Sequence, residues 1–389
     1  MSVQADVDLD LVLADIETLV SCESPSDDLD AVARSADVVA ALGERLLGVA
    51  PGRIVLDGRT HLRWRFGHPA VLVLGHHDTV WPLGSLERLP FRIDDGVLRG
   101  PGCFDMKTGV VMALHAVAAL PDRTGVSILI TGDEELGSPS SRALIEQEAI
   151  GCAASFVLEA SADGGAVKVA RKGVSLYRVH VTGRAAHAGL EPERGVNAAI
   201  EAAHLLLAIA RLGDPTAGTS VTPTLVRAGS TTNTVPAEAE FAVDVRVRTV
   251  AEQERVDAAL RAIPVTLPGA SVRMEGGANR PPLEPESSAH LFSRAVAIAE
   301  RTGLTSFRGV EVGGASDGNF TAALGVPTLD GLGAVGGGAH ADDEHVIVAM
   351  IPERTLLLQE LIAAALADRE ALTDHDAPAD RDAPTGGRA

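Results

Sequence analysis

The sequence has 389 residues, of which 46% are apolar and 22% are charged, as in a folded globular protein rather than a disordered or fibrous chain. At roughly 150 residues per domain, this length predicts two or three domains. The 33 Lys plus Arg stand against 53 Asp plus Glu, which gives a net charge of -20. This surplus argues against a nucleic-acid partner, because such binding depends on cations that neutralise phosphates.

The cysteines and the N-terminal segment indicate where the protein resides. Cys22, Cys103 and Cys152 are widely scattered and form no C-x-x-C pair, so they read as small buried residues rather than as a disulfide framework. The first twenty residues are acidic and lack the basic start and apolar core of a signal peptide. No run reaches the roughly 18 consecutive apolar residues of a membrane helix. We therefore expect a cytoplasmic protein with no membrane partner.

The first part of the chain shows the pattern of an α/β domain. Apolar residues recur at helical spacing from Val7 to about Leu47, with an interruption at residues 24–26, which predicts two helices. Short apolar runs then alternate with helical stretches, at Ala70–Gly75, Met106–Leu120, Val126–Thr131, Ser140–Glu148 and Ser155–Leu158. Unbroken apolar strands separated by helices are typical of a mainly parallel sheet that is buried on both faces. We assign residues 1–171 to this α/β domain.

A different sheet is predicted over residues 172–282. Its strands alternate between apolar and polar residues, as strands with one solvated face do. The predicted elements are Ser175–Thr182, Val196–Leu212, Thr219–Arg227, Ala239–Arg248, Glu252–Ile263 and Ser271–Glu275. Their β-α-β-β-α-β order is that of a ferredoxin-like, inserted α+β domain. The α/β pattern resumes over 283–370 and ends in a helix over Pro352–Asp368, and the polar tail 371–389 is predicted to have no structure.

Side chains suited to metal chemistry follow three of the apolar strands. His76 and Asp78 follow the first and point to one side of the chain, so Asp78 is placed to orient a metal-bound His76. Glu134 and Glu135 follow the second, where neighbouring carboxylates repel one another unless a cation is present. Since adjacent side chains diverge, one of them can bind a metal while the other faces a bound water. Glu159 closes the third strand.

Each candidate also has an ordinary structural explanation. A hydrogen-bonded histidine fits the end of the first strand equally well, and the acidic run after the second can be a solvated loop. Asp105, in a glycine-rich turn before a helix, has the position of an N-cap, and Asp317 also begins a helix. Glu159 alone reads as an exposed charge, His340 as part of a flexible glycine-rich loop, and Lys107 as a structural residue.

Taken together, the candidates point to a metal centre. The set contains two histidines and three carboxylates: His76, Asp105, Glu135, Glu159 and His340. Most of them lie at the carboxyl ends of strands, where open α/β sheets place their sites. Mixed histidine and carboxylate ligation suits zinc, with cobalt or manganese as possible substitutes. Two divalent ions and a bridging hydroxide balance three carboxylates, whereas one ion leaves excess negative charge.

The chain resembles a known family, the dizinc exopeptidases and aminoacylases that include glutamate carboxypeptidase, acetylornithine deacetylase and succinyl-diaminopimelate desuccinylase. The similarity covers about Ile16 to Leu366 and is closest to the glutamate carboxypeptidase-like branch. The matching blocks are GHHDTVWP, RGPGCFDMKTG, TGDEELGS, VLEAS, GRAAHAGLEPERGVNA, TTNTVPAEAEFAVDVR, GGASDGNF and GGGAHADDEHV. The resemblance implies that the inserted domain is a lid through which two chains form a homodimer.

The same resemblance implies a role for each candidate residue. Asp105 would bridge two zinc ions, His76 and Glu159 would complete one ion, and Glu135 and His340 the other. Asp78 would be the partner of His76, and Glu134 the general base that takes a proton from the bridging water.

Four further residues are implied to act on the substrate. His187 would cross to the partner subunit and stabilise the oxyanion. Arg246 would bind a substrate carboxylate, although by position alone it is an ordinary exposed strand charge. Asn233 would contact the same carboxylate or the oxyanion, and Gly314 would offer a main-chain contact.

These roles predict a two-metal hydrolase that cleaves an amide bond next to a free α-carboxylate, in a small peptide or an N-acyl amino acid. In the family, a Glu at the position of Glu159 accompanies carboxypeptidases and deacylases, which disfavours an aminopeptidase. One alternative is a biosynthetic deacylase of the acetylornithine or succinyl-diaminopimelate type. An alternative of another class is a zinc-binding or ligand-binding relative without activity, which would require the loss of a ligand or of Glu134, and neither is lost.

Overall fold

The computed structural model describes residues 7–304 and 307–375. The helices in these ranges are α1 (Leu9–Val20), α2 (Leu29–Leu47), α3 (Ser85–Arg88), α4 (Thr108–Ala118), α5 (Arg142–Ala149), α6 (Ala198–Ala210), α7 (Val250–Arg261), α8 (Pro285–Thr302), α9 (Gly318–Ala323) and α10 (Ile351–His375). The strands of the first half are β1 (Gly52–Leu56), β2 (Arg59–Arg65), β3 (Val71–His76), β4 (Arg92–Asp94), β5 (Val97–Arg99), β6 (Val126–Thr131), β7 (Ala154–Val157) and β8 (Val167–Arg171). Those of the second half are β9 (Gly173–Thr182), β10 (Ser220–Ala228), β11 (Glu238–Val247), β12 (Ser271–Arg280), β13 (Gly309–Val312), β14 (Thr328–Leu329), β15 (Gly336–Gly337) and β16 (His345–Ile347).

The main sheet has the strand order β1-β2-β6-β3-β7-β14. Strands β6, β3, β7 and β14 are parallel, and the β1-β2 hairpin joins β6 in the antiparallel sense. Val71 and Val73 face the core formed with α1, α2, α4 and α10, whereas Leu72 and Leu74 face a second cluster with α5 and α9. Helices therefore cover both faces, and the predicted α/β class is confirmed.

Two hairpins around this sheet were not predicted, although each has a clear turn signal. Asp57-Gly58 joins β1 to β2 with φ angles of 49° and 79°, and Asp95-Gly96 joins β4 to β5 with φ angles of 50° and 78°. Asp-Gly pairs with two positive φ angles are typical of tight hairpin turns. The second hairpin belongs to a small antiparallel sheet with the order β15-β16-β5-β4.

A separate sheet with the order β10-β11-β9-β12 forms the predicted ferredoxin-like arrangement. Its strands are antiparallel, and α6 and α7 pack on one face against residues such as Val179 and Phe241. The other face carries charged side chains that pair across strands, including Arg178, His180 and Glu240. We call this sheet with α6 and α7 the lid, and we retain 172–282 as its proposed boundaries, with 1–171 and 283–370 as the two parts of the other domain.

The last helix is longer than the sequence pattern predicts. It extends to His375, beyond the expected end at Asp368, so residues 371–375 of the predicted unstructured tail are helical. Residues 376–389 lie outside the described part of the chain. Among the described residues, no helix combines the length and the apolar character needed to cross a membrane.

Candidate metal centre

The neighbouring parallel strands bring three of the candidate ligands to one edge of the main sheet. β3 ends at His76, which pairs in register with Thr131 at the end of β6. Glu134 and Glu135 follow β6 in a short 3-10 turn, and Glu159 lies two residues beyond β7. Because parallel strands end at the same edge, these side chains meet there. Two loops add Asp105 and His340, the latter with a left-handed φ of 64°.

The five predicted ligands form two groups that share Asp105. In the first group, His76 Nε2 lies 3.5 Å from Asp105 Oδ1 and 3.7 Å from Glu159 Oε1. In the second, His340 Nε2 lies 3.3 Å from Asp105 Oδ2 and 3.2 Å from Glu135 Oε1. The two oxygens of one carboxylate thus face different histidines, as in a residue that bridges two ions.

The spacing of these atoms fits divalent cations. Zinc binds nitrogen and oxygen at about 2.0–2.2 Å, which places tetrahedral ligands about 3.3–3.6 Å from one another. The distances within both groups are close to that range. In addition, His76 Nε2 and Asp105 Oδ1 are buried and have no hydrogen-bond partner among the described residues. Buried polar atoms are normally satisfied, so these two are aimed at a ligand that the polypeptide does not supply.

Asp105 does not act as a helix cap. It lies three residues before α4, whose N-terminus receives no side-chain hydrogen bond, and its carboxylate faces the two histidines instead. The loop before it turns sharply at Gly102, which has a φ of 72°. A Cβ there would lie 2.6 Å from Thr79 Cγ2, so glycine is required at this position.

Asp78 supports both sides of the centre. Its backbone carbonyl is 2.9 Å from His76 Nδ1, closer than its own carboxylate at 3.4 Å, and this leaves Nε2 to face the ligand group. The carboxylate instead accepts hydrogen bonds from Ser26 Oγ and from the backbone N–H groups of Glu134 and Glu135. Asp78 therefore holds the turn that carries both glutamates. His77 points away and contacts the carbonyl of Thr60.

Electrostatics show how much negative charge is concentrated here. The carboxylates of Asp105 and Glu135 raise the pKa of His340 to about 10. Burial lowers the pKa of His76, but Asp105 and Asp78 outweigh it and hold that pKa well above its usual range. Burial, followed by the charge of Asp105, raises the pKa of Glu159 to about 7. Without added cations the cluster attracts protons, and metal ions would replace that positive charge.

These observations can be compared with known proteins. Residues 72–364 match the model of peptidase family M20/M25/M40. The chain belongs to this M20 family.

Curated M20 relatives span nearly the whole chain. Carboxypeptidase G2 of Pseudomonas sp. (strain RS-16) is 32% identical over 371 residues, covering 90% of this chain and 88% of the relative. Succinyl-diaminopimelate desuccinylase of Granulibacter bethesdensis is 29% identical over 376 residues, covering 90% and 97%. Such relatives identify the chain as a hydrolytic enzyme of a metal-dependent family.

Solved structures show the same fold at low sequence identity. Aminopeptidase PepT from Bacillus cereus superposes with a TM-score of 0.73 at 21% identity, covering 92% of this chain and 99% of the other. An M20 family metallo-carboxypeptidase from Sulfolobus solfataricus gives 0.72 at 16% identity, covering 91% and 99%.

Beside the ligand groups of the M20 enzyme, Glu134 contacts an arginine that sequence reasoning missed. Arg280, at the end of lid strand β12, is 6% exposed. Its Nη2 lies 2.9 Å from Glu134 Oε1, 2.8 Å from Ser138 Oγ and 2.9 Å from Asp317 Oδ1. Asp317 thus pairs with Arg280 and makes no side-chain cap on α9. The contact joins the lid directly to the candidate general base.

A second unpredicted arginine lies on the other side of the site. Arg171, at the end of β8, forms two hydrogen bonds to the carboxylate of Asp330 and lies 3.4 Å from Glu159 Oε2. Its Nη1 also donates to the carbonyl of Gly314 at 3.1 Å, so the backbone of this predicted main-chain contact is held by a buried charge. Lys107, which we interpreted as a structural residue, is buried and donates to the carbonyl of Cys22.

Two of the predicted lid residues, His187 and Asn233, lie on neighbouring segments, whereas Arg246 lies near the far end of β11, opposite Val174. His187 and Thr234 form an antiparallel bridge, and the carbonyl of Asn233 accepts from the N–H of Ala188. Both His187 and Asn233 are exposed. Arg246 lies on the open face of β11. Within the described residues, no hydrogen bond or ion pair connects these three side chains with the five ligands.

Arg246 already forms an ion pair on the open face of β11. Its guanidinium forms two hydrogen bonds, of 2.8 and 2.9 Å, to the carboxylate of Asp244. About a third of the Arg246 side chain is exposed, at 34%. It can therefore still meet an incoming anion.

Proposed function

We propose that this M20 enzyme hydrolyses an amide bond adjacent to a free α-carboxylate and so releases a C-terminal amino acid from a small peptide or an N-acyl amino acid. The observation that carries the proposal is the pair of ligand groups sharing Asp105, with the buried carboxylate of Glu134 beside them. The similarity to carboxypeptidase G2 supports the same class of reaction.

The ligand groups would hold two zinc ions, with cobalt or manganese as substitutes. His76, Asp105 and Glu159 would bind one, and Asp105, Glu135 and His340 the other. When bound, such ions polarise a carbonyl group and lower the pKa of water. Glu134 would accept a proton from the attacking water and deliver it to the leaving nitrogen. Arg280 contacts one oxygen of this carboxylate and would limit its rotation.

The lid would bind the substrate carboxylate. Arg246 offers a guanidinium fork suited to a carboxylate. Asn233 would contact the same carboxylate or the oxyanion, and the main chain at Gly314 would line the substrate pocket. His187 would stabilise the oxyanion of the partner subunit's substrate, which accounts for an exposed histidine that makes no contact with the ligand groups of its own chain. The enzyme would therefore act as a homodimer formed through the lid.

The test is a substrate panel with matched controls. N-acyl amino acids and dipeptides are assayed with zinc, cobalt or manganese, each beside the same compound amidated at its C-terminus. Free carboxylates should be hydrolysed and their amides poorly or not at all, and a chelator should abolish turnover until metal is restored. Equal hydrolysis of both members of each pair would contradict the proposal.

A second candidate is a biosynthetic deacylase. It is favoured by the succinyl-diaminopimelate desuccinylase that matches this chain over 97% of its own length. N-acetylornithine and N-succinyl-diaminopimelate belong in the same panel, and a preference for either would favour this reading. Metal binding without turnover of any compound would instead indicate a binding protein.

A further inference from the structure

We propose that Glu344 is a positioning residue that holds the loop carrying Asp105 in the shape required by both ligand groups. The inference rests on the proposed metal site and concerns a residue outside it. Glu344 is 3% exposed and lies four residues after His340, on the same loop.

Both oxygens of the Glu344 side chain are occupied by N–H donors. Oε1 accepts from the backbone N–H of Phe104 at 2.8 Å and of Asp105 at 3.0 Å. Oε2 accepts from the backbone N–H of Gly102 at 2.9 Å and from Trp81 Nε1 at 2.7 Å. Three amides of one short loop therefore converge on a single carboxylate.

This arrangement is suited to a negative charge. Consecutive backbone N–H groups that point into one concavity form an anion-binding nest, and hydrogen bonds to an ionised acceptor are stronger than neutral ones. Here the anion is supplied by the chain itself. Since one of the amides is that of Asp105, the carboxylate of Glu344 fixes the backbone from which the shared ligand projects.

The same contact relates two ligands that are far apart in sequence. β16 pairs with β5, placing His345 opposite Arg99 and Val346 opposite Leu98. The His340 loop therefore enters this small sheet just where the Asp105 loop leaves it. Glu344 closes the junction, so its removal should disturb Asp105 and His340 together.

The test is the isosteric change Glu344→Gln. An amide keeps one acceptor oxygen but turns the other into an NH₂ donor, so two of the four N–H groups would face a donor. Loss of such a supporting contact typically weakens metal binding by about 10–100-fold. We expect that loss when the metal-free protein is titrated with zinc or cobalt, together with a changed cobalt absorption spectrum.

Matched variants separate positioning from general damage. Asp343→Asn removes an exposed charge from the same loop and should bind metal like the wild type. Glu344→Asp keeps the charge on a shorter side chain, so its metal affinity should lie between that of Glu344→Gln and that of the wild type. This variant also provides a measurement if Glu344→Gln does not fold. General destabilisation would lower the melting temperature of the metal-free protein without changing the cobalt spectrum.

The outcomes distinguish this inference from the proposed function. Wild-type affinity and an unchanged cobalt spectrum in Glu344→Gln, or in Glu344→Asp if only that variant folds, would overturn the positioning role while leaving the metal site intact. Failure of the wild-type protein itself to bind metal would overturn the proposed function, and the inference with it.

Discussion

The edge of the main sheet and the exposed end of the lid are built in opposite ways. At the sheet edge, buried ligands such as His76 and Glu159 follow rigid strands and meet within one chain. On the lid, His187 and Asn233 lie on exposed loops and make no described contact with that centre. The residues of the proposed metal site thus come from a single chain, whereas the proposed roles of His187 and Asn233 require the lid to move or a partner chain to contribute. Substitutions in the two regions should therefore change different properties of the enzyme.

The largest effect is expected at Glu134. Glu134→Gln keeps the size of the side chain but removes the proton acceptor, and general-base catalysis contributes about 10²–10⁴-fold. We expect kcat to fall by that factor with metal affinity unchanged, measured by steady-state kinetics and zinc titration. Glu146→Gln is the control, because this glutamate of α5 is 34% exposed and pairs with Arg142 rather than with the ligand groups. Near-normal turnover in Glu134→Gln would rule out its role as the base.

His187→Ala should have the next largest effect and gives a direct test of the dimer. Removal of one oxyanion donor costs about 10²–10³-fold in kcat. If His187 acts on the partner subunit's substrate, mixing His187→Ala with Glu134→Gln chains creates dimers with one intact site. Activity should then reappear in the mixture of two inactive proteins. Lack of recovery after verified exchange of subunits would place His187 outside the partner's site.

Whether the sequence could predict a feature depends on the separation, along the chain, of the residues that form it. The sheet edge was predictable, because His76, Glu135 and Glu159 lie at or within four residues of the ends of apolar strands, which carry a local signal. Arg280 and Glu344 were not predictable, because their partners lie 146 and 240 residues away and a lone arginine or glutamate has no local pattern. The contact between Arg246 and Asp244 was not predicted, although the alternation of apolar and polar residues along β11 places both side chains on the same face of the strand.

A smaller effect is expected from Arg246→Ala. A hydrogen bond to a charged group contributes about 1.5–3 kcal/mol, so KM for substrates with a free carboxylate should rise about 10–100-fold. Turnover at saturation and metal affinity should change little. The control substrate is the C-terminal amide, whose KM should be unaffected. A similar rise for both substrates would show that Arg246 does not recognise the carboxylate.

The smallest effect we predict is at the contact that joins the two regions. Arg280→Lys retains a positive charge, but the lysine side chain is shorter and its ammonium is more strongly hydrated, so it should hold Glu134, Ser138 and Asp317 less firmly than the single Nη2 atom that contacts all three. Because Glu134 would be less firmly oriented, kcat should fall by about tenfold, the lower limit of the roughly 10–100-fold loss that is typical when a supporting contact is removed. KM should change little. Arg273→Lys, exposed on the same strand, is the matched control. A rise in KM at constant kcat would instead identify Arg280 as a substrate ligand, and the lid would then influence the centre through binding rather than through the base.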